Sequence, residues 1–239
     1  TSTAAGGTGG TGTPITLSWS FVPDNLTVGS GTAPGGTGPS NLFSRMDSLF
    51  GAANRSLWIS QFQSVFDRWS YLTGVTYVRV RFNNNDWDDG AAWGSSGANN
   101  LRGDVRISMK NIDGANGVLA YNSFPNNGDM VIDSSESWNS SSNSYRFLRN
   151  TISHEHGHGL GLSHVCPQTG TKLMEPGLNT SFDGPQQDDI RAGQANYGDP
   201  SENNDGPSVA TPIDPIPGGA QDPLIGGSTV FLGTISSPS

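Results

Sequence analysis

All four histidines of this 239-residue chain fall between positions 154 and 164. The segment reads His154-Glu155-His156-Gly157-His158-Gly159-Leu160-Gly161-Leu162-Ser163-His164. Residues four apart on a helix share a face, so His154 and His158 can aim their imidazoles at one metal ion. Glu155 projects beside them, near enough to take a proton from an activated water without being a ligand. Gly161 lies three positions beyond His158, where a glycine in the left-handed conformation can close the helix. The chain can then turn and bring in His164 as a third ligand. Three neutral imidazoles leave one tetrahedral position open, which is the arrangement of a catalytic zinc site. A structural site would use four protein ligands, and no fourth stands out. His156 lies two residues from each helical ligand, on another face, and is expected to pack or to meet solvent. A lone His-Glu-x-x-His arises by accident in many helices, whereas the added Gly161 and His164 make this one specific.

A second constellation is acidic. Asp113-Gly114-Ala115-Asn116-Gly117 offers a carboxylate and a glycine-rich turn, and Asp133 and Glu136 offer two more carboxylates. Calcium takes about six to eight such oxygens, so a structural calcium site is one reading and solvated loop charges are the other. Asp86, Asp88, Asp89 and Asp104 are further hard oxygen donors, better matched to calcium than to zinc.

The elements that must position these groups are readable from periodicity. Ile15–Phe21 alternates apolar and polar residues as a half-buried strand does. Residues 28–40 read as a surface loop. From Ser56 to Leu72, Trp58, Phe62, Val65, Phe66, Trp69 and Leu72 recur at helical spacing and predict a core helix. Val75–Phe82, Asp104–Met109, Val118–Tyr121 and Asp129–Asp133 read as strands, with a long polar loop over 83–103. Arg146–Leu160 and Gln186–Tyr197 read as helices, the latter with Pro185 near its start. This order predicts an α+β fold: a twisted, mostly parallel five-stranded sheet with two long helices and a C-terminal helix. Residues 1–13 are low-complexity and expected to be disordered, 14–198 form the domain, and 199–239 read as a linker with one strand at Thr229–Ile235, leading into a further module.

Composition narrows the function class. The formal charge is −9, with 12 basic and 21 acidic residues, and no basic face exists for nucleic acid. No apolar run approaches the ~20 residues of a membrane-spanning helix. The single cysteine, Cys166, excludes an internal disulfide framework and reads as a small buried residue. Little cysteine and lysine beside much Gly, Ser, Thr and Asn suits a secreted, bacterial protein acting as a monomer. Thr1–Gly12 lacks the apolar stretch of a signal peptide, so a secreted form is expected to have lost its leader already.

The histidine segment resembles the zinc signature of the metzincin metalloproteases, and within them the chain is similar to the matrixin family. Met174 in Lys172-Leu173-Met174-Glu175-Pro176 matches the family's methionine turn, and Pro176 stands where astacin- and serralysin-type enzymes have a tyrosine. Phe62–Val80 resembles the first matrixin helix and the following strand, and Gln187–Ile190 with Tyr197-Gly198 the closing helix. Val118-Leu119-Ala120 resembles the edge strand along which a substrate peptide is laid, and 128–138 the family's calcium loop. Val165 departs from the usual serine, and the propeptide cysteine switch is absent, as in a mature form or one activated differently. The resemblance implies a secreted zinc endopeptidase acting on proteins of extracellular-matrix type. Glu155 is then the general base, Met174 and Pro176 support the site, Leu119 and Ala120 line it, and Zn2+ and Ca2+ are the cofactors. It also implies a difference. The stretch 83–129, where animal matrixins hold a second, structural zinc through histidines, has none here, so a single zinc is expected. A metzincin of another subfamily, or a non-catalytic secreted binding module, is the alternative.

Overall fold

The computed structural model describes residues 10–125 and 127–201. Its elements are β1 (Ile15–Phe21), β2 (Thr27–Gly29), β3 (Thr37–Pro39), α1 (Leu42–Phe50), α2 (Arg55–Leu72), β4 (Val75–Arg79), β5 (Val105–Lys110), β6 (Ala120–Asn122), β7 (Met130–Asp133), α3 (Arg146–Gly159) and α4 (Gln187–Tyr197). Five strands form one sheet in the order β4-β1-β5-β7-β6. Every pairing in it is parallel except β6 with β7. The α+β class, the mostly parallel sheet and the three main helices are as the sequence predicts.

Three boundaries differ. β4 stops at Arg79 instead of Phe82, β5 runs one residue later than expected, and β6 covers Ala120–Asn122 instead of Val118–Tyr121. The segment 28–40, read as a loop, contains most of a small antiparallel hairpin of β2 and β3. Helix α1 was not predicted, because its cap comes from far away in sequence. The Asp24 carboxylate accepts the N–H groups of Phe43 and Ser44 at 2.9 and 2.8 Å. Residues 1–9 and the expected strand at Thr229–Ile235 lie outside the described residues. Of the remainder of the N-terminal segment, Gly12 donates its N–H to the Asn196 carbonyl at 2.9 Å.

The core lies between the sheet and α2. Trp19 stacks on Phe66 with ring centroids 4.6 Å apart, and Phe21 meets Phe43, Trp58 and Phe62 edge-on. Such aromatic pairs add to the transfer energy of the area that they bury. Trp69, also fully buried, donates its indole N–H to the Ser153 carbonyl at 3.3 Å and so joins α2 to α3. Thus the helix carrying the histidines rests on the largest apolar surface of the molecule.

The central strand β5 is buried along its whole length, although it alternates apolar residues with Arg106, Ser108 and Lys110. Arg106 and Asp88 form an ion pair with both side chains fully buried. The guanidinium also donates to the carbonyls of Ala91 and Ala92. Asp88 in turn accepts the Ser20 hydroxyl and the Gly90 N–H. Lys110 donates to the carbonyls of Pro34 and Asn111, which pins the loop of the β2–β3 hairpin. The other acids of the region have protein partners too: Asp86 with Arg79, Asp89 with Arg102, and Asp104 with the N–H and hydroxyl of Ser18. The long loop over 83–103 is therefore wrapped around a guanidinium. Removing one member of a buried pair leaves the other charge without compensation, at a cost of about 3–5 kcal/mol. Arg106→Met is expected to lower unfolding stability by that amount in urea titration. The double change with Asp88→Asn should recover part of the loss, and a single variant as stable as wild type would contradict this role.

Candidate metal centre

Helix α3 presents its site residues because its other face is anchored. Leu148 and Ile152 are fully buried, and His156, also fully buried, packs against Phe66 and Tyr77. The Tyr77 hydroxyl lies 2.6 Å from His156 Nε2, so this histidine points away from its three neighbours. The helix ends where predicted. Gly161 takes φ +90, Gly161 N–H bonds the His158 carbonyl, and Leu162 N–H reaches back to the Gly157 carbonyl. That reversal carries the chain to His164.

His154, His158 and His164 are the one group of three or more His, Cys, Asp or Glu among the described residues whose ligand atoms converge. His164 Nε2 lies 3.1 Å from His154 Nε2 and 3.2 Å from His158 Nε2. Tetrahedral zinc with bonds of about 2.05 Å would separate its nitrogen ligands by about 3.3 Å, so the spacing fits. The tautomers fit as well. His154 Nδ1 lies 2.7 Å from the Leu173 carbonyl and His158 Nδ1 2.7 Å from the Leu162 carbonyl. A carbonyl only accepts, so each Nδ1 carries the proton and each Nε2 keeps its lone pair for a metal. Burial also lowers the pKa of His154 to about 4 and brings His158 below its usual value, which keeps both rings neutral.

Glu155 is buried beside this cluster and lines the same cleft, and burial raises its carboxyl to about 8. Met174 is buried beneath α3. A Cβ added to Gly157 would collide with its sulfur, so only glycine lets this helix turn approach the methionine. The Met174 carbonyl accepts the Val165 N–H, which ties the segment after His164 to this turn. Asp189, on the first turn of α4, accepts the N–H groups of Leu173, Met174 and Gln186 at 2.8, 3.1 and 2.8 Å. Through the Leu173 peptide, Asp189 fixes the carbonyl that orients His154. Sequence reasoning missed this residue, although an acid in the first turn of a helix is a capping signal.

A cleft of about 810 Å3 runs over the histidines. Val118–Asn122 form one wall, where β6 is the edge strand of the sheet, and Leu119 and Ala120 lie on it as expected. Pro176, Gly177 and Leu178 stand in the lining with Thr151, which sits one turn before Glu155. Thr151, Leu178 and Phe124 were not singled out from sequence. Thr151 was legible as a same-face neighbour of Glu155, whereas nothing local marks the other two.

The acidic trio is brought to one turn but not to one point. Both oxygens of Asp113 accept the Val118 N–H at 3.0 Å. Asp133 accepts the N–H groups of Asp113 and Ser135, and Glu136 that of Asn116. These bonds close the 113–118 turn, and the three acids form no converging ligand group of the kind the histidines make. Cys166 is exposed instead of buried. Two residues past His164 the chain has left the core, and 166–171 all face solvent.

The Matrixin family model matches residues 45–198. Interstitial collagenase of Equus caballus is 34% identical over 181 residues, covering 73% of this chain and 33% of that protein. Matrix metalloproteinase-18 of Xenopus laevis is 33% identical over 161 residues, 64% of this chain and 32% of its own length. Neutrophil collagenase of Homo sapiens is 38% identical over 111 residues, 43% of this chain and 23% of that protein. The chain spans about a third or less of the length of these relatives. They are animal proteins and lend no support to the bacterial source suggested by composition. With the family's model matched over most of the domain, and three histidines converging above a buried methionine turn, the chain belongs to the matrixin family, with a metzincin-type catalytic domain.

Proposed function

We propose that this chain is a secreted zinc endopeptidase that hydrolyses peptide bonds in protein substrates and acts as a monomer. Its zinc ligands are His154, His158 and His164, and Glu155 is its general base. One observation carries the reading: three Nε2 atoms face one another at 3.1–3.2 Å in a cleft, with carbonyls holding the Nδ1 protons of two of them. Zinc supplies a Lewis acid that polarises a peptide carbonyl and makes water a competent nucleophile near neutral pH. The Glu155 carboxylate accepts the attacking water's proton and then delivers it to the departing amine. Leu119 and Ala120 hold the peptide along the β6 edge, and Met174 and Pro176 support the opposite side. Pro176 has no hydroxyl to offer a metal, unlike the tyrosine of the astacin- and serralysin-like alternatives. No helix among the described residues is long and apolar enough to cross a membrane.

The test is hydrolysis of a mixed peptide library with and without a zinc chelator. Glu155→Ala is expected to lower kcat by about 10²–10⁴-fold while zinc stays near one per chain. Retention of a tenth of the wild-type kcat would remove Glu155 from its role. His158→Ala should lose zinc and activity together. His156→Ala should keep its zinc despite a lower Tm from the lost packing, and equal metal loss in both variants would overturn the division of ligands from bystander. Dialysed protein is expected to hold one zinc per chain, and two tightly held ions would refute a single site.

We further infer that calcium at Asp113, Asp133 and Glu136 stabilises the cleft wall and takes no part in the chemistry. Each carboxylate oxygen that accepts one N–H retains a second lone pair for a cation. Removal of calcium is expected to lower Tm by several degrees in wild type and to leave Asp133→Ala unmoved. Coincident wild-type curves with and without calcium would count against this site.

A further inference from the structure

We propose that Phe124 is a specificity-determining residue, binding an apolar side chain on the N-terminal side of the scissile bond. This rests on the endopeptidase reading and adds what the cleft selects. β6 pairs with β7 along one edge, and its other edge is free beside the cleft. An extended peptide added to a free edge gains main-chain hydrogen bonds, and antiparallel pairing is the more stable register. In that orientation the peptide's N-terminal half lies by Asn122 and its C-terminal half by Gly117.

Phe124 follows just past the Asn122 end. Its side chain is 51% exposed, whereas the other phenylalanines among the described residues are buried or partly buried. The ring leans on His158, with centroids 5.5 Å apart and planes at 52°, and it lines the cleft. The turn that carries it is fixed from below. Asn122 donates its side-chain amide to the carbonyls of Ser123 and Gly128 at 2.7 and 3.2 Å. The N–H groups of Asn127 and Gly128 both point at the Phe124 carbonyl. The backbone is therefore tied down while the ring projects. No Lys or Arg lines the cleft, and its two acids, Asp113 and Glu155, belong to other parts of it. Ring face and imidazole together make an apolar corner, suited to a branched aliphatic or aromatic side chain.

The experiment uses the full chain and internally quenched peptides built on one sequence that wild type cleaves in a mixed library. The three positions before the scissile bond are varied among Leu, Phe, Ser and Asp. Wild type is expected to prefer Leu or Phe over Ser at one of them by about tenfold in kcat/KM. Phe124→Ser should bring that ratio within about twofold with zinc still bound, and Phe124→Leu should preserve it. A preference that survives Phe124→Ser, a wild type indifferent on that side, or equal losses on every peptide would each overturn the proposal. The last would leave Phe124 as mere support for His158. A wild type that cleaves nothing in the library fails the endopeptidase reading itself, a result distinct from selective cleavage that the variant does not alter.

Discussion

Three imidazole lone pairs within 3.1–3.2 Å of one another repel unless something positive sits between them. Nothing in that trio attracts, so every other contact around it must hold the rings against their own repulsion. Two carbonyls, of Leu173 and Leu162, fix the rings of His154 and His158. The Leu173 peptide is held by Asp189 from α4, and Leu162 by the helix reversal at Gly161. The Val165 N–H bonds the Met174 carbonyl and closes the circuit from His164 back to the same turn. Such outer bonds set ring orientation and tautomer, which is why a metal centre extends well beyond its ligands.

The rigidity for this comes from aromatic packing some distance away. Trp19, Phe21, Phe62, Phe66 and Trp69 are fully buried between the sheet and α2, and Trp69 reaches Ser153 next to the first histidine. His156 belongs to that packing and not to the metal cluster. It lies under Phe66 and Tyr77 on the inner face of α3 while its neighbours at ±2 look outward. One helix thus uses a histidine for the core and two for the cleft, and helical periodicity alone decides which is which.

That same periodicity is why the centre was legible in sequence. The trio falls within a single short segment, so helix spacing and one glycine describe it without tertiary information. The sheet and the three main helices followed from similarly local patterns. What escaped depended on residues distant in sequence. α1 is capped by Asp24 from across a hairpin, and Asp189 acts on residues fifteen or sixteen positions upstream. Cys166 looked like a small buried residue, but the chain turns outward straight after His164, which no local rule announces. Phe124 had no pattern around it, because exposure at a cleft rim depends on which strand becomes the sheet edge. The acidic trio was found by type and brought to one turn, but its oxygens serve backbone N–H groups, a use that composition does not distinguish from metal binding.

Arg106 and Lys110 show the deepest form of this limit. On paper, alternate basic residues in a strand mean a solvated face, yet β5 is buried on both sides. Each charge is enclosed by a loop that turns oxygens towards it: Asp88, Ala91 and Ala92 around the guanidinium, Pro34 and Asn111 around the ammonium. Converging carboxylate and carbonyl oxygens on a central cation is what loops do around a bound metal, and here the cation is part of the chain. A covalently attached cation cannot be chelated or exchanged. Loops on this face are consequently ordered as the chain folds, independent of metal supply, whereas the histidine trio stays strained until a cation arrives. Metal dependence is thereby concentrated at the cleft, where binding of an ion changes reactivity, while the far face of the sheet keeps its shape with or without it.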